Sequence, residues 1–352
     1  MTMNKKERVL AAIAHRQTDK VPKGEIYIES NIANNLIGKN YPTDYQYFDR
    51  EKEVRELLHM DLVNLGEWPS EKIGTDDNGN TIYRSVYGYD FKSTGLSNHV
   101  VRPPILKIED AGKYPVPDIN KITARDIADF SGKTDFFIFG QIGGPVSMAN
   151  EMFGMQEYMM YCLTNASEIR TIGEKIMEFE IAKAIKFIDN GAEGIILTDD
   201  IAFNTGVFLP EETMEIIAYP LYETAVREIK KHRDIPVFFH SDGKMDIVFK
   251  RIISCGFNGI HSLQPSAGMD IRKLKKEYGD HICLMGNIDL DHVMTFAKPE
   301  EVERTVKETM DIAAVGSGFI LSTCNTLIDA IPPENALAMY NFAENYKPNY
   351  NN

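Results

Sequence analysis

Long apolar runs are missing from this 352-residue chain. None approaches the roughly 20 residues that a bilayer-spanning helix requires, so a membrane helix is excluded as an expectation. Cysteine is scarce: Cys162, Cys255, Cys283 and Cys324 are far apart and include no C-x-x-C pair. They are too few to staple a chain of this size, so structural disulfides are not expected. Basic residues fall short of acidic ones, and the net charge of −14 is spread along the chain rather than gathered in a tail. A surface of that sign repels phosphate backbones, which argues against a nucleic-acid partner. Repeats and low-complexity segments are absent, as is the apolar stretch of a secretory signal after the opening Met-Thr-Met-Asn-Lys-Lys-Glu-Arg. Residence in the cytoplasm is the resulting expectation. What is present is ordinary globular material, 43% apolar and 26% charged, enough for one large core.

Punctuation and period give the organisation. A first helix is predicted over about Lys5 to His15, with Val9, Leu10, Ala12 and Ile13 on one side. Strand-like runs then recur at Gly24–Ile28, Leu62–Leu65, Phe136–Gly140, Gly194–Thr198, Pro236–Phe239, Gly259–Ser262, Ile282–Met285 and Phe319–Ser322. From the fourth onward they are separated by helix-length amphipathic segments; Ile216, Ile217, Leu221, Ala225 and Ile229 fit one helix face. Alternating strands and helices imply a parallel sheet. The fold class is α/β, and eight such units predict a (β/α)8 TIM barrel preceded by an N-terminal helical extension. An open doubly wound sheet shares the alternation, but it usually brings a glycine-rich turn after the first strand, which Gly24-Glu25-Ile26-Tyr27 does not supply. Residues 67–119 fit the alternation poorly. The Asp76-Asp77-Asn78-Gly79 turn there predicts a β-hairpin inserted after the second strand. One barrel domain over 1–348, with a frayed end at 349–352, completes the outline.

In a parallel barrel the residues just past the strand C-termini converge on one pocket. That rule collects Glu25, Tyr27 or Glu29, Glu67, Gln141, Asp199 with Asp200, His240 with Asp242, His261 with Gln264, Asn287 with Asp289, and Cys324 with Asn325. A ring so rich in carboxylates points to metal or acid–base chemistry. His240 and Asp242 are two apart, hence on one face of a strand and within reach of one ion. With the Cys324 thiolate they form a His/carboxylate/Cys set suited to catalytic Zn2+. Alternatively, Asp242 caps a helix starting near Gly243, and Cys324 is an inert core thiol. Of the adjacent pair, Asp200 is expected to face the pocket while Asp199 stabilises a helix start or loop. His261 reads either as a pocket residue or as a satisfied, semi-buried histidine. The remaining histidines, His99 among them, are placed on helices or turns without a role. Tyr27, Trp68, Tyr87 and Phe203 fit an aromatic ligand or plain packing.

The run from Arg8 to Pro22 (RVLAAIAHRQTDKVP), the segment from Gly191 to Asp200 (GAEGIILTDD), His240-Ser-Asp-Gly243, Gly259 to Gly268, and Leu284 to Asp289 (LMGNID) together resemble the uroporphyrinogen decarboxylase superfamily over nearly the whole chain. The resemblance implies a TIM barrel. Within that superfamily, decarboxylases of uroporphyrinogen follow the first proline with an arginine-rich segment that binds substrate carboxylates. Here Pro22 is followed by Lys23-Gly-Glu-Ile-Tyr-Ile-Glu-Ser, with two glutamates and no arginine, so bidentate carboxylate clamps are lacking.

The other branch resembled is that of methyltransferases that work with corrinoid proteins. Its coenzyme M members hold zinc with His-x-Cys and a distant Cys. Those positions match His240 and Cys324, while Asp242 replaces the middle cysteine. A harder, more oxygen-rich site suits oxygen- or nitrogen-bound methyl groups better than a thiol. The resemblance therefore implies methyl transfer from a small methoxylated or methylated compound to cob(I)alamin on a separate corrinoid-binding protein. His240, Asp242 and Cys324 would hold Zn2+; His240, Asp200 and Asp242 would act catalytically; Tyr27, Gln141, Gln264 and Asn287 would contact substrate. A decarboxylase of another, smaller acid and a non-catalytic binding barrel are the rival expectations.

Overall fold

The computed structural model describes residues 2–94, 97–347 and 350. Helix α1 (Lys5–Ile13) opens on a capping box, in which Asn4 accepts from the Glu7 amide and Glu7 from the Asn4 amide. Its buried Arg8 ties the helix down by pairing with Asp19 at 2.7 Å and with Asp61. Helices α2 (Ser30–Ile37) and α3 (Phe48–Leu57) precede strand β1 (Leu62–Gly66).

The inserted region then forms β2 (Ser70–Thr75), β3 (Thr81–Ser85), β4 (Asp90–Thr94) and β5 (Ser97–Arg102), a four-stranded antiparallel sheet. The expected hairpin is its first half, with Lys72 opposite Tyr83 and Thr75 opposite Thr81. Two further strands extend it, and His99 lies in the last of them rather than on a turn.

After α4 (Arg125–Lys133) the alternation proper runs as β6 (Phe137–Gly143), α5 (Pro145–Phe153), α6 (Met155–Thr164), α7 (Ala166–Asp189) and β7 (Gly194–Thr198). A small excursion, β8 (Ala202–Phe203) and β9 (Gly206–Val207), leads to α8 (Glu211–Ile217), α9 (Tyr219–His232), β10 (Val237–Ser241) and α10 (Phe249–Ser254). The chain continues through β11 (Gly259–Ser262), α11 (Ile271–Tyr278), β12 (Cys283–Ile288), α12 (Pro299–Ala313), β13 (Phe319–Thr323) and α13 (Pro333–Asn345).

Seven of these strands form one parallel sheet in the order β1-β6-β7-β10-β11-β12-β13. The sheet is consistent with a TIM-like barrel. Seven of the eight expected strands are therefore seen. The expected first, Gly24–Ile28, is not a strand: only Lys23 and Ile28 form parallel bridges, to Leu321 and Leu327. Even so, the Lys23 carbonyl accepts from the Asp61 amide at 2.7 Å while Gly24 donates to the Leu321 carbonyl at 3.0 Å. This segment thus bonds to the chain just before β1 and also to β13.

Alternation within each strand separates two cores. Leu62, Phe137, Phe139, Ile196, Phe238, Cys283, Met285 and Ile320 pack with Ile26 and with Val9 of α1 on the concave side. Their neighbours face the helices, Ile195 and Leu197 among them. Glycines make room for the inner rings: a Cβ at Gly259 would lie 2.2 Å from the Phe238 ring. Among the described residues no helix is long and apolar enough to cross a membrane. Of the C-terminal positions read as frayed, Asn349, Asn351 and Asn352 lie outside the described residues, whereas the Tyr350 hydroxyl sits 2.9 Å from Thr18 Oγ1.

Candidate active site

The C-terminal ends of β7 and β10 bring three donors together. One ligand atom each from Asp200, His240 and Asp242 lies within 4.8 Å of the others. His240 Nε2 stands 3.9 Å from Asp200 Oδ1 and 3.9 Å from Asp242 Oδ1. Backbone bonds hold the cluster in place. The Asp242 amide donates to Asp200 Oδ1 at 3.0 Å, the Ile201 amide to Ser241 Oγ at 3.0 Å, and the Lys244 amide to the Phe203 carbonyl at 2.8 Å. Gly243 must be glycine at φ 85°, since a Cβ would lie 2.6 Å from the Ala202 carbonyl oxygen. Gln264 Oε1 accepts the Gly243 amide at 3.0 Å, so this side chain clamps the loop carrying Asp242.

Electrostatics within the cluster are set by water exclusion and like charge. Burial raises the Asp242 carboxyl above its usual range, His240 draws it down, and Asp200 pushes it up again. Asp242 Oδ2 accepts from Asn325, whereas its Oδ1 is closed off from solvent and has no well-formed hydrogen bond among the described residues, the nearby Ser262 hydroxyl donating to the Cys324 carbonyl. Helix capping is not its role: α10 begins only at Phe249, with Val248 at its N-cap position. An orphaned carboxylate oxygen aimed at an imidazole and a second carboxylate fits a divalent cation. With metal–ligand bonds of about 2.1 Å, tetrahedral ligand atoms stand ~3.4 Å apart, so the 3.9 Å spacings need only modest contraction.

Cys324 is not among the three donors. It is 3% exposed, its amide donates to the Ile288 carbonyl at 2.8 Å, and burial holds its thiol far above the usual range, where a thiolate is disfavoured. Asp199 divides the labour with Asp200. Its oxygens accept from the Val146 and Ser147 amides at 3.1 and 2.6 Å and from the Tyr222 hydroxyl at 2.6 Å, which caps α5. Burial raises its carboxyl to about 6.

Other ring members also hydrogen-bond to backbone groups or neighbouring side chains. Glu67 accepts the Thr123 and Ala124 amides at the start of α4, and Asp289 accepts the His292 and Val293 amides. Asn287, at φ 76°, donates its amide to the Leu263 and Met269 carbonyls. Gln141 accepts from Asn64 at 2.7 Å and donates to Thr198 at 3.3 Å. The aromatic candidates disperse. The Tyr27 ring packs on Tyr45 at 5.2 Å, Trp68 covers the buried Lys183 ammonium at 3.7 Å, Tyr87 is fully buried, and half-exposed Phe203 packs at a tilt against Phe208.

Behind His240 lies a chain that sequence reading did not assemble. His240 Nδ1 and His261 Nδ1 are 2.7 Å apart, His261 Nε2 is 3.3 Å from Ser322 Oγ, and Ser322 donates to Glu25 Oε2 at 3.3 Å. Glu25 also accepts from the Thr323 amide at 2.8 Å, from Thr323 Oγ1 at 2.7 Å and from Tyr340. Burial raises Glu25 to about 7, partly offset by these donors, and drives His261 well below the usual imidazole range. Beside this chain, Ser262 and Leu263 hold positive φ angles of 117° and 57°. Non-glycine residues adopt such angles at a cost of about 1–3 kcal/mol each, and they gather at functional sites.

Fold and site together define an α/β protein with an acid–imidazole cluster at the C-terminal edge of a parallel sheet. The chain belongs to the uroporphyrinogen decarboxylase (URO-D) family, whose profile matches residues 86–346. It is 22% identical over 335 residues to the methylcobamide:CoM methyltransferase MtaA of Methanosarcina barkeri, covering 89% of this chain and 92% of that one. It is 23% identical over 269 residues to the uroporphyrinogen decarboxylase of Pelodictyon phaeoclathratiforme, covering 70% of this chain and 72% of that one. A solved methyltransferase from Methanosarcina mazei shares the fold with a TM-score of 0.77 at 18% identity, over 97% of this chain and 98% of that one.

Proposed function

We propose that this protein is an enzyme of the corrinoid-linked kind. It would move a methyl group from a small methoxylated or methylated compound to cob(I)alamin carried by a separate protein. The supporting observation is the Asp200/His240/Asp242 cluster at the strand ends, in a chain similar along most of its length to a methylcobamide:CoM methyltransferase. Asp200, His240 Nε2 and Asp242 are the residues that would hold a divalent cation, zinc being the first to test. Such an ion, when bound, supplies a Lewis acid for the oxygen or nitrogen that gives up the methyl group.

The chain's own residues supply the rest. Gln264 and Asn325 orient Asp242, one through the loop backbone and the other directly. His240, 6% exposed, presents Nε2 towards the mouth, where it can hold or release a proton. Tyr27 and Gln141 are taken as substrate contacts. Cys324 is taken as a core thiol and Asn287 as a brace for the loop that follows β11. In the finer fold reading, Pro22–Ile28 fills the eighth position of a closed barrel. Residues 67–119 are an insertion in one domain, and the protein works in the cytoplasm.

The test is conversion of cob(I)alamin to methylcob(III)alamin, followed by absorbance, with methyl ethers, methylamines and methyl thiols as donors. Wild type should methylate the corrinoid with at least one donor class, and His240→Ala and Asp242→Ala should not. A second reading, decarboxylation of a smaller acid, is favoured by the similarity to uroporphyrinogen decarboxylases. Release of carbon dioxide without any corrinoid methylation would replace the first reading by the second.

A further inference from the structure

Between His240 Nδ1 and His261 Nδ1, 2.7 Å apart, there is room for one proton. One ring must donate and the other accept. If His240 donates, His261 Nδ1 is bare, so the neutral His261 carries its proton on Nε2 and points it at Ser322 Oγ, 3.3 Å away. Ser322 then turns its own proton to Glu25 Oε2, which accepts it as a carboxylate. His240 Nε2 is left with a free lone pair towards Asp200 and Asp242. Every link in this arrangement is satisfied.

The opposite arrangement follows from adding one proton at His240 Nε2. The His240 Nδ1 proton passes to His261 Nδ1, the His261 Nε2 proton to Ser322, and the Ser322 proton to Glu25. The balance is one proton taken up at the mouth and one carboxylate neutralised inside. That proton belongs on Oε2, because Oε1 faces the Thr323 amide, which can only donate.

We propose that Glu25 is a positioning residue which, through Ser322 and His261, sets the tautomer of His240 and so decides whether Nε2 is free to bind a cation. A buried carboxyl raised to about 7 makes the switch operable near neutral pH. The groups facing it are the Tyr340 hydroxyl from α13 and the Ser322 and Thr323 hydroxyls from β13, with Arg55 of α3 acting on Tyr340. Lys23 of its own segment is committed to Glu344 at 2.7 Å.

The sharpest perturbation is Glu25→Gln. Oε1 receives two donors, so the amide oxygen must sit there and the NH2 must replace Oε2. That NH2 donates to Ser322, which reverses each link and places a proton on His240 Nε2. In metal-free, 15N-histidine-labelled protein at about pH 8, long-range 1H–15N NMR should show His240 as the Nδ1–H tautomer in wild type and as Nε2–H in Glu25→Gln. Zinc affinity, measured by chelator competition, should fall by about 10- to 100-fold in the variant, the range seen for outer partners of metal-ligating histidines.

An unchanged tautomer in Glu25→Gln overturns the proposal. A reversed tautomer in a protein whose wild type binds no zinc leaves the relay standing and removes the cation reading on which the affinity arm rests. Should Glu25→Gln fail to fold, the wild type carries the test alone. In the metal-free wild type at about pH 8 His240 should be the Nδ1–H tautomer, and an Nε2–H tautomer there overturns the proposal.

Discussion

Asp200→Asn isolates the charge coupling at the mouth. The asparagine keeps an oxygen to accept the Asp242 amide, which Asp200 Oδ1 now receives at 3.0 Å, so the loop should stay in place while one charge is lost. Ligand oxygens of the two carboxylates lie within 4.8 Å. At that distance two unit charges repel by about 3.5 kcal/mol at an effective dielectric of about 20, and by about 0.9 kcal/mol in water. The Asp200 side chain is 55% exposed, so the watery end of that range applies. About 1.4 kcal/mol corresponds to one pH unit. The Asp242 midpoint should therefore fall by roughly 0.6 of a unit in metal-free Asp200→Asn.

Side-chain carboxyl 13C NMR across a pH titration measures it directly. The shift should shrink in about 1 M salt, where the screening length is only ~3 Å. An Asp242 midpoint that stays put or rises would show that the two carboxylates do not share one field, and the cation reading would lose its footing. Zinc affinity should nevertheless fall in the same variant, because a ligand is removed along with the repulsion.

The remaining expectations concern ligand identity, stability and pH. Cys324→Ala should keep zinc affinity within a few-fold of wild type by chelator competition, whereas Asp242→Ala should lose at least the 10- to 100-fold typical of even outer-sphere changes; loss in Cys324→Ala would restore the cysteine as a ligand. Glu51 accepts from Arg50 at 3.0 Å and from Arg55, with all three side chains at most 1% exposed. Glu51→Gln strands two buried guanidinium groups and should lower unfolding free energy by about 3–5 kcal/mol in urea titrations. Glu25 and Asp199 are raised to about 7 and about 6 in the folded protein. The folded state therefore binds more protons than the unfolded chain between ordinary carboxylate pKa values and these, and their contribution to stability is lost as pH rises through that window. Each accounts for roughly 3 kcal/mol at most, so Glu25→Gln should flatten the fall in stability between about pH 4.5 and about pH 7. An unchanged slope would count against a raised Glu25.

Much of the fold was legible because burial and strand ends leave marks in sequence. Gly194–Thr198 and Gly259–Ser262 match the observed strands end for end, the first a short apolar run closed by threonine and the second a short segment opened by glycine and closed by serine. The Gly24–Ile28 run alternates Glu25 with Ile26 and Ile28 and makes only isolated bridges. Glu25, inside it, is drawn inward to Ser322, Thr323 and Tyr340, and a polar side chain among alternating apolar ones cannot announce that destination. The insertion was half legible. Its first turn is Asp-Asn-Gly, but β2 is exposed along its whole length and β3 half-buried, so neither carries the alternation that reveals a strand. At the mouth, spacing predicted that His240 and Asp242 could share an ion, and their atoms do lie together. Spacing did not say where the Cys324 sulfur points, because loop torsions after β13 decide that.

The pairing of His240 with His261 shows what was missing in between. Each histidine occupies the next-to-last position of its strand, and β10 and β11 are parallel neighbours in which His240 stands opposite His261. Once two consecutive strands are taken as adjacent and parallel, as a barrel requires, equal distance from the strand ends puts the two residues side by side on the same face. His261 read as a bland, satisfied histidine only because it was weighed alone. Satisfied it is, and its partner on one side is the candidate ligand while on the other it leads to Glu25. A buried imidazole bonded at both nitrogens passes on the polarity it receives, with the Thr323 backbone as a further partner that favours its proton, so its burial makes it a conduit. The residue that sets the polarity is then whichever member of the chain can gain or lose a charge. Ser322 cannot, and His261 is held neutral by burial. Of the members behind His240, that leaves Glu25 to govern the ring at the mouth from the far end of a line of hydrogen bonds.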